Sequence, residues 1–225
     1  MDPLQTRMAT VGLRAIADDG FVLAGGYALR AHGFGIRESD DIDLFTNILD
    51  PDHFASAVDR LLAAYREDGL QAEVVRQAPA FARIVVTDNH GAQAKADLGV
   101  DHRQFPPVSL DVGPVLSELD SIGSKVGALF SRLEPRDLID VQTVLDSGRY
   151  DPDTLLTLAD RREATPLDRP MFAGQLRAAG RLPDSGFQRY GAPPEVIARI
   201  RETARTWAEH LMDGEMGRSS GRMGA

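Results

Sequence analysis

Apolar residues recur at helical spacing near the start of the chain. Leu4, Met8, Val11 and Ile16 follow Asp2-Pro3, a pair suited to an N-cap and a first helical position. Asp18-Asp19-Gly20 ends that helix. Phe21 to Ala24 is a short apolar run before Gly25-Gly26, which reads as a strand and then a turn. A short helix over 27–32, a loop over 33–40 and a second strand over 41–45 follow. Between Pro51 and Glu67, the positions of Phe54, Val58, Leu61, Leu62 and Tyr65 mark one face of a helix. Three strands are then expected, over 71–75, 80–86 and 92–100. In the third, Ala94, Ala96 and Leu98 alternate with Lys95 and Asp97.

After Pro114 the period changes. Helices are expected over 115–132, with a break near Pro135, and then over 136–145, 152–161, 170–179 and 194–211. Trp207, Leu211, Ile197 and Ile200 form a helix face that reads as core. Residues 214–225 are rich in Gly, Ser and Arg without periodicity, so a disordered tail is expected. The pattern thus predicts a mixed α and β part over 1–114, an all-helical part over 115–213, and no internal repeat.

Composition narrows the chemistry. The 225 residues suit one domain or two packed ones. There is no cysteine, which removes disulfides, thiolate catalysis and cysteine-ligated zinc. No apolar run approaches the ~20 residues that cross a bilayer. No basic segment precedes an apolar one at the N-terminus, so a cytoplasmic location is expected. Net charge is −9, and it is unevenly placed. Residues 1–121 hold 10 Lys and Arg against 19 Asp and Glu, while residues 122–225 hold 15 of each. An acidic first half suits cation binding and argues against a phosphate-tracking surface there. From residue 160 to 205, 9 Arg stand against 6 acids. Solvated helix faces account for such a mixture as readily as a binding surface does. The five histidines show no metal-ligand spacing.

Asp41-Ile42-Asp43 lies on the second expected strand. Residues two apart on a strand share a face, so both carboxylates project together about 6–7 Å apart. Magnesium takes oxygen ligands, often one or two carboxylates plus substrate phosphates. By itself Asp-x-Asp is equally a strand end with solvated acids. Gly25-Gly26, ahead of a helix, lets backbone N–H groups approach phosphate oxygens, or makes only a tight turn. Arg37 and Ser39 lie in the loop leading to the acids and suit phosphate contact or ordinary loop polarity. Asp97, mid-strand opposite Ala96 and Leu98, would need a partner there. Three carboxylates on neighbouring strands suit a two-metal site, in which the third can also accept a proton. Lys125 sits on the helix face that bears Val126 and Leu129. It reads as a phosphate point charge or as a lysine snorkelling at a helix edge. Asp137 and Asp140 share a face of the next helix.

Together these segments resemble the AbiEii/AbiGii toxin family. The run from Phe21 to His32, ending in Arg37-x-Ser39-x-Asp41-Ile42-Asp43-Leu44, is similar to the family's first motif. Lys95-Ala96-Asp97-Leu98 is similar to the second, and the stretches from Ser124 to Arg132 and from Arg136 to Val141 to the third and fourth. The resemblance covers residues 20–146. It implies the α+β fold of polymerase β-like nucleotidyltransferases, a mixed sheet with helices followed by a helical half. It also implies an enzyme of a bacterial toxin–antitoxin system. Magnesium, or manganese, would be held by Asp41, Asp43 and Asp97. Phosphate contact falls to Gly25, Gly26 and Lys125, and Asp137 or Asp140 becomes a further active-site residue. The MenT group in this family adds nucleotides to the 3′ end of transfer RNA. The expected partners are therefore a nucleoside triphosphate, an RNA acceptor (tRNA) and an antitoxin protein, with no membrane. Tyr27 stands where the family often has a short hydroxyl residue, so a hydroxyl that could touch phosphate is either missing or replaced by the Tyr27 phenol. The rival readings are transfer to a small-molecule or protein hydroxyl, and a non-catalytic nucleotide-binding regulator.

Overall fold

The computed structural model describes residues 1–35 and 37–222, with the backbone alone for 214–222. Helix α1 (Pro3–Ile16) starts at Asp2, whose carboxylate accepts from the Gln5 N–H at 2.9 Å. The Gln5 side chain accepts from the Asp2 N–H at 3.3 Å. This reciprocal cap satisfies two backbone donors at once. After a 3-10 turn over Ala17–Asp19 come β1 (Val22–Leu23), α2 (Gly25–Ala31) and β2 (Asp41–Thr46). Helix α3 (Pro51–Glu67) is set by the Asp50 carboxylate, which accepts from the N–H groups of Asp52 and His53, and by proline at its first position. Strands β3 (Gln71–Ala78), β4 (Phe81–Thr87), β5 (Gln93–Val100), β6 (Val108–Leu110) and β7 (Gly113–Val115) follow.

The seven strands form one sheet in the order β3-β4-β5-β2-β1-β7-β6. The pairs β2–β5 and β1–β7 are parallel and the other neighbours antiparallel. Alternation puts Ile42, Leu44, Ala82, Ile84, Ala96 and Leu98 on one face, all fully buried. Each buried Ile or Leu contributes on the order of 2 kcal/mol, and each Ala methyl less than half of that. Helices α1 and α3 pack against each other and contribute Met8, Leu13, Phe54, Val58, Leu61 and Tyr65 to this core. At Gly12 a Cβ would lie 3.1 Å from both Leu61 Cδ1 and the Tyr65 hydroxyl, so glycine sets how closely the two helices approach. The opposite face carries Asp41, Asp43, Arg83, Lys95 and Asp97.

The chain divides into two units, Met1–Ser121 and Ile122–Ala225. Helix α4 (Glu118–Arg132) begins in the first and continues through the second. The second unit holds α5 (Pro135–Asp146), α6 (Pro152–Asp160), α7 (Arg169–Ala179), α8 (Asp184–Gln188) and α9 (Pro194–Arg222). Asp151 and Asp168 cap α6 and α7, each ahead of a helix with proline in its first turn. Phe172 and Trp207 meet edge to face at 5.1 Å in this unit's core, with Ile197 and Ile200 buried beside them. At Gly123 a Cβ would come within 2.7 Å of the Leu158 carbonyl oxygen, which brings α4 and α6 close together.

The fold class matches the expectation, an α+β mixed sheet followed by helices. Three details differ. Residues 108–115 form a β hairpin at the sheet edge, so the helix expected from 115 starts at Glu118. Helix α8 was not anticipated. Helix α9 continues to Arg222, where a tail from 214 was expected, and residues 223–225 lie outside the described ones. Glycine there costs helix propensity of about 1 kcal/mol per residue but leaves every backbone N–H in place. Among the described residues, no helix is long and apolar enough to cross a membrane.

Candidate active site

The register of the sheet lines up the charged face. Asp43 on β2 is opposite Asp97 on β5, and Asp97 is opposite Arg83 on β4. One row therefore runs Arg83, Asp97, Asp43 across three strands. The next row sets Asp41 opposite Lys95. Arg83 grips Asp97 with two parallel hydrogen bonds, Nε to Oδ1 at 2.7 Å and Nη2 to Oδ2 at 2.6 Å. The same Nη2 lies 3.9 Å from Asp41 Oδ2. The hydrogen bond to Asp97 holds the guanidinium firmly charged, raising its pKa against the opposing effect of burial.

Gly25 closes one side of this face. Its φ of 61° lies in the left-handed region, and a Cβ there would fall 1.7 Å from Asp43 Oδ2. Only glycine lets the backbone lie this close to the acid. At Gly26 a Cβ would be 2.9 Å from Ser39 Oγ and 3.1 Å from an Arg37 guanidinium nitrogen. Thus Gly25, Gly26, Arg37, Ser39 and Asp43 meet at one place. The Ser39 carbonyl is pinned by Gln5 Nε2 at 2.9 Å and by the Tyr27 hydroxyl at 3.1 Å. Tyr27 also bonds the Gln5 side chain, and burial pushes its phenol pKa up. The phenol is thus used inside the fold and does not stand in for a phosphate-contacting hydroxyl.

In the second unit, Lys125 on α4 is buried and is no snorkelling surface lysine. Its Nζ lies 2.8 Å from Asp140 Oδ2 and 3.8 Å from Asp137 Oδ1. Asp137 is in turn held bidentately by Arg132, at 2.7 and 2.9 Å. Two cations and two carboxylates therefore balance one another between α4 and α5. Lys125, Asp137 and Asp140 are thus brought together within one unit, while Asp41, Asp43 and Asp97 share one face of the sheet in the other.

A model of the nucleotidyl transferase AbiEii toxin family, of type IV toxin–antitoxin systems, matches residues 12–216. The chain belongs to the AbiEii family. It is a nucleotidyltransferase toxin by that membership. No curated protein sequence matches the chain. Among solved structures, the MenT4 nucleotidyltransferase toxin of Mycobacterium tuberculosis H37Rv shares 18% identity at a TM-score of 0.60, over 93% of this chain and 83% of that one. JHP933 from Helicobacter pylori shares 15% at 0.54, over 97% of each chain. At such identities the likeness is one of fold.

Among the described residues of this AbiEii chain, no three His, Asp or Glu side chains converge to hold a metal ion. Asp41 and Asp43 share one face of β2, and Asp43 lies against the glycine turn. Two carboxylates suit magnesium when phosphates complete its shell, so the donor set fits the group. Arg83 was missed in the sequence. The signal was present: counting outward from the 88–92 loop pairs Arg83 with Asp97.

Proposed function

We propose that this toxin transfers a nucleoside monophosphate from a nucleoside triphosphate to a hydroxyl at the 3′ end of an RNA, with tRNA as the acceptor. The observation that carries this reading is the Asp43 carboxylate lying against the bare backbone of Gly25, with Asp41 on the same face. Asp41, Asp43 and Asp97 would hold the magnesium, which when bound neutralises phosphate charge and acidifies the acceptor hydroxyl. Gly25 and Gly26 leave space for a phosphate beside Ser39 and Arg37. The acceptor oxygen bonds to the α-phosphorus as the bond to the β-phosphate oxygen breaks. Pyrophosphate leaves, and the hydroxyl proton passes to Asp97. Within the helical unit Lys125 is proposed as a phosphate-contacting point charge, its ammonium oriented by Asp137 and Asp140. A cognate antitoxin is the protein partner.

Total RNA incubated with each labelled triphosphate in turn, with and without magnesium, tests the reading. We expect magnesium-dependent 3′ labelling that falls in Asp41→Asn and in Asp43→Asn by more than the roughly 10–100-fold that losing a group supporting a metal ligand costs. Labelling retained in both variants overturns the metal-site assignment. No labelling of any RNA by soluble protein that slows bacterial growth overturns the acceptor.

A further inference from the structure

Arg83 occupies the position from which Asp97 would serve the reaction. Its guanidinium uses both oxygens of that carboxylate and reaches toward Asp41, while Asp97 itself is 11% exposed and Arg83 is 37% exposed. Three carboxylates on one sheet face repel one another unless positive charge lies among them. In the structure Arg83 supplies part of that charge. A divalent cation would supply it from the same oxygens. Guanidinium and cation are alike in sign, so sharing Asp97 costs both of them. Of the two, the more exposed arginine side chain is the group free to move, because its planar head can leave while its stem stays on β4.

We propose that Arg83 is a resident counter-ion that competes with the divalent cation for Asp97. It neutralises the acid face of the nucleotide-free protein and yields Asp97 when metal occupies the site. This rests on the reading of Asp41, Asp43 and Asp97 as the metal-holding acids. It assigns Arg83 a positioning role. A purely structural cross-strand ion pair would produce the same contacts, and the two accounts differ in how Arg83 affects metal affinity.

The test is calorimetric titration of the nucleotide-free full chain with Mn2+, for wild type, Arg83→Gln, Arg83→Lys and Asp41→Asn. Melting is then followed in chelator and in saturating Mn2+. Arg83→Gln should bind Mn2+ on the order of tenfold more tightly than wild type, since a nearby like charge is gone. Arg83→Lys, which keeps the charge without the bidentate grip, should fall between them. In chelator Arg83→Gln should melt below wild type, and saturating Mn2+ should close the gap. Arg83→Gln binding no more tightly than wild type, or a melting gap unchanged by Mn2+, overturns the competition and leaves a structural pair. If wild type binds Mn2+, Asp41→Asn loses it and Arg83→Gln is unchanged, only the competition fails. If neither wild type nor Arg83→Gln binds Mn2+, the metal reading of the three acids fails and takes this inference with it.

Discussion

Gly25 shows how much of the site depends on a single Cβ. Its φ of 61° costs a non-glycine residue about 1 kcal/mol, and a methyl group there would sit 1.7 Å from Asp43 Oδ2. The acid must move or the turn must open. Gly25→Ala should therefore lose most of its transfer activity while melting only a few degrees lower. Gly26→Ala should be milder, because the atom it meets at 2.9 Å is the Ser39 hydroxyl, which can rotate away. Initial rates beside melting curves decide the point, and a fully active Gly25→Ala would break the link between the turn and the acid. Most of this site was legible in the sequence. Asp41 and Asp43 show the two-residue period of a strand, and the glycine pair stands just after an apolar run. The closeness of Gly25 to Asp43 was not legible. It depends on β1 pairing with β2, with the Ala24 N–H donating to the Asp43 carbonyl at 2.8 Å. Tyr27 misled for a similar reason. Its partners Gln5 and Ser39 are 22 and 12 residues away in the chain.

Elements were legible where a cap and a period agreed. Helix α3 begins at Asp50-Pro51 and ends at Glu67 as its apolar spacing requires. The β6–β7 hairpin was not legible, because Val108 and Leu110 are exposed and Pro114 lies within β7. Strands this short, β6 at the sheet edge and β7 between it and β1, show neither alternation nor an apolar run. Between α4 and α5, the buried Lys125–Asp140 pair makes a double-mutant prediction. Lys125→Met and Asp140→Leu should each cost on the order of 2–4 kcal/mol, because each takes the nearest opposite charge from a buried group, with Asp137 at 3.8 Å still beside the lysine. The double variant should recover most of that loss, and simple addition of the two costs in denaturant melts would show that the pair is not coupled. Asp160, at the end of α6, makes a pH prediction. Burial pushes its pKa up, but the Arg169 guanidinium at 2.5 and 2.9 Å and the Leu167 N–H at 2.9 Å outweigh this and hold it below the usual carboxylate range. A depressed folded pKa gives stability that is present above about pH 4 and lost as the pH falls through the folded value. Asp160→Asn should lose on the order of 1 kcal/mol at neutral pH, after allowing for solvent screening. Its stability should then change less than wild type between pH 5 and the acid limit. Parallel acid-unfolding curves for the two proteins would refute the assignment.

At the scale of the whole molecule, charge placement bears on where an RNA can bind. Residues 1–121 carry the entire −9, and the remaining 104 residues are neutral overall. A phosphate backbone is repelled by the first and tolerated by the second. Not every arginine in the helical unit is available. Arg169, Arg199, Arg201 and Arg205 are committed to Asp160, Asp146, Asp184 and Glu202. Arg189 stacks on Tyr190 at 4.8 Å, and at Gly123 a Cβ would lie only 2.8 Å from the Arg162 stem, so that side chain serves packing as well. Arg161, Arg177 and Arg181 are exposed and form no ion pair among the described residues. These three are the proposed phosphate contacts, and Arg162 is left unchanged because reversing it would disturb the packing of α4. Three contacts make for weak, salt-sensitive binding, with a log–log salt slope of roughly −2 to −3. Reversing all three to Glu should raise the RNA concentration needed for half-maximal labelling by on the order of tenfold at low salt, and the slope should flatten. Triphosphate affinity should stay as in wild type, because base and phosphate contacts to the small substrate are not among the residues changed. Labelling that is unaltered at both low and moderate salt would place the RNA on another surface. A matching loss of triphosphate affinity would mean that the substitutions had disturbed the fold.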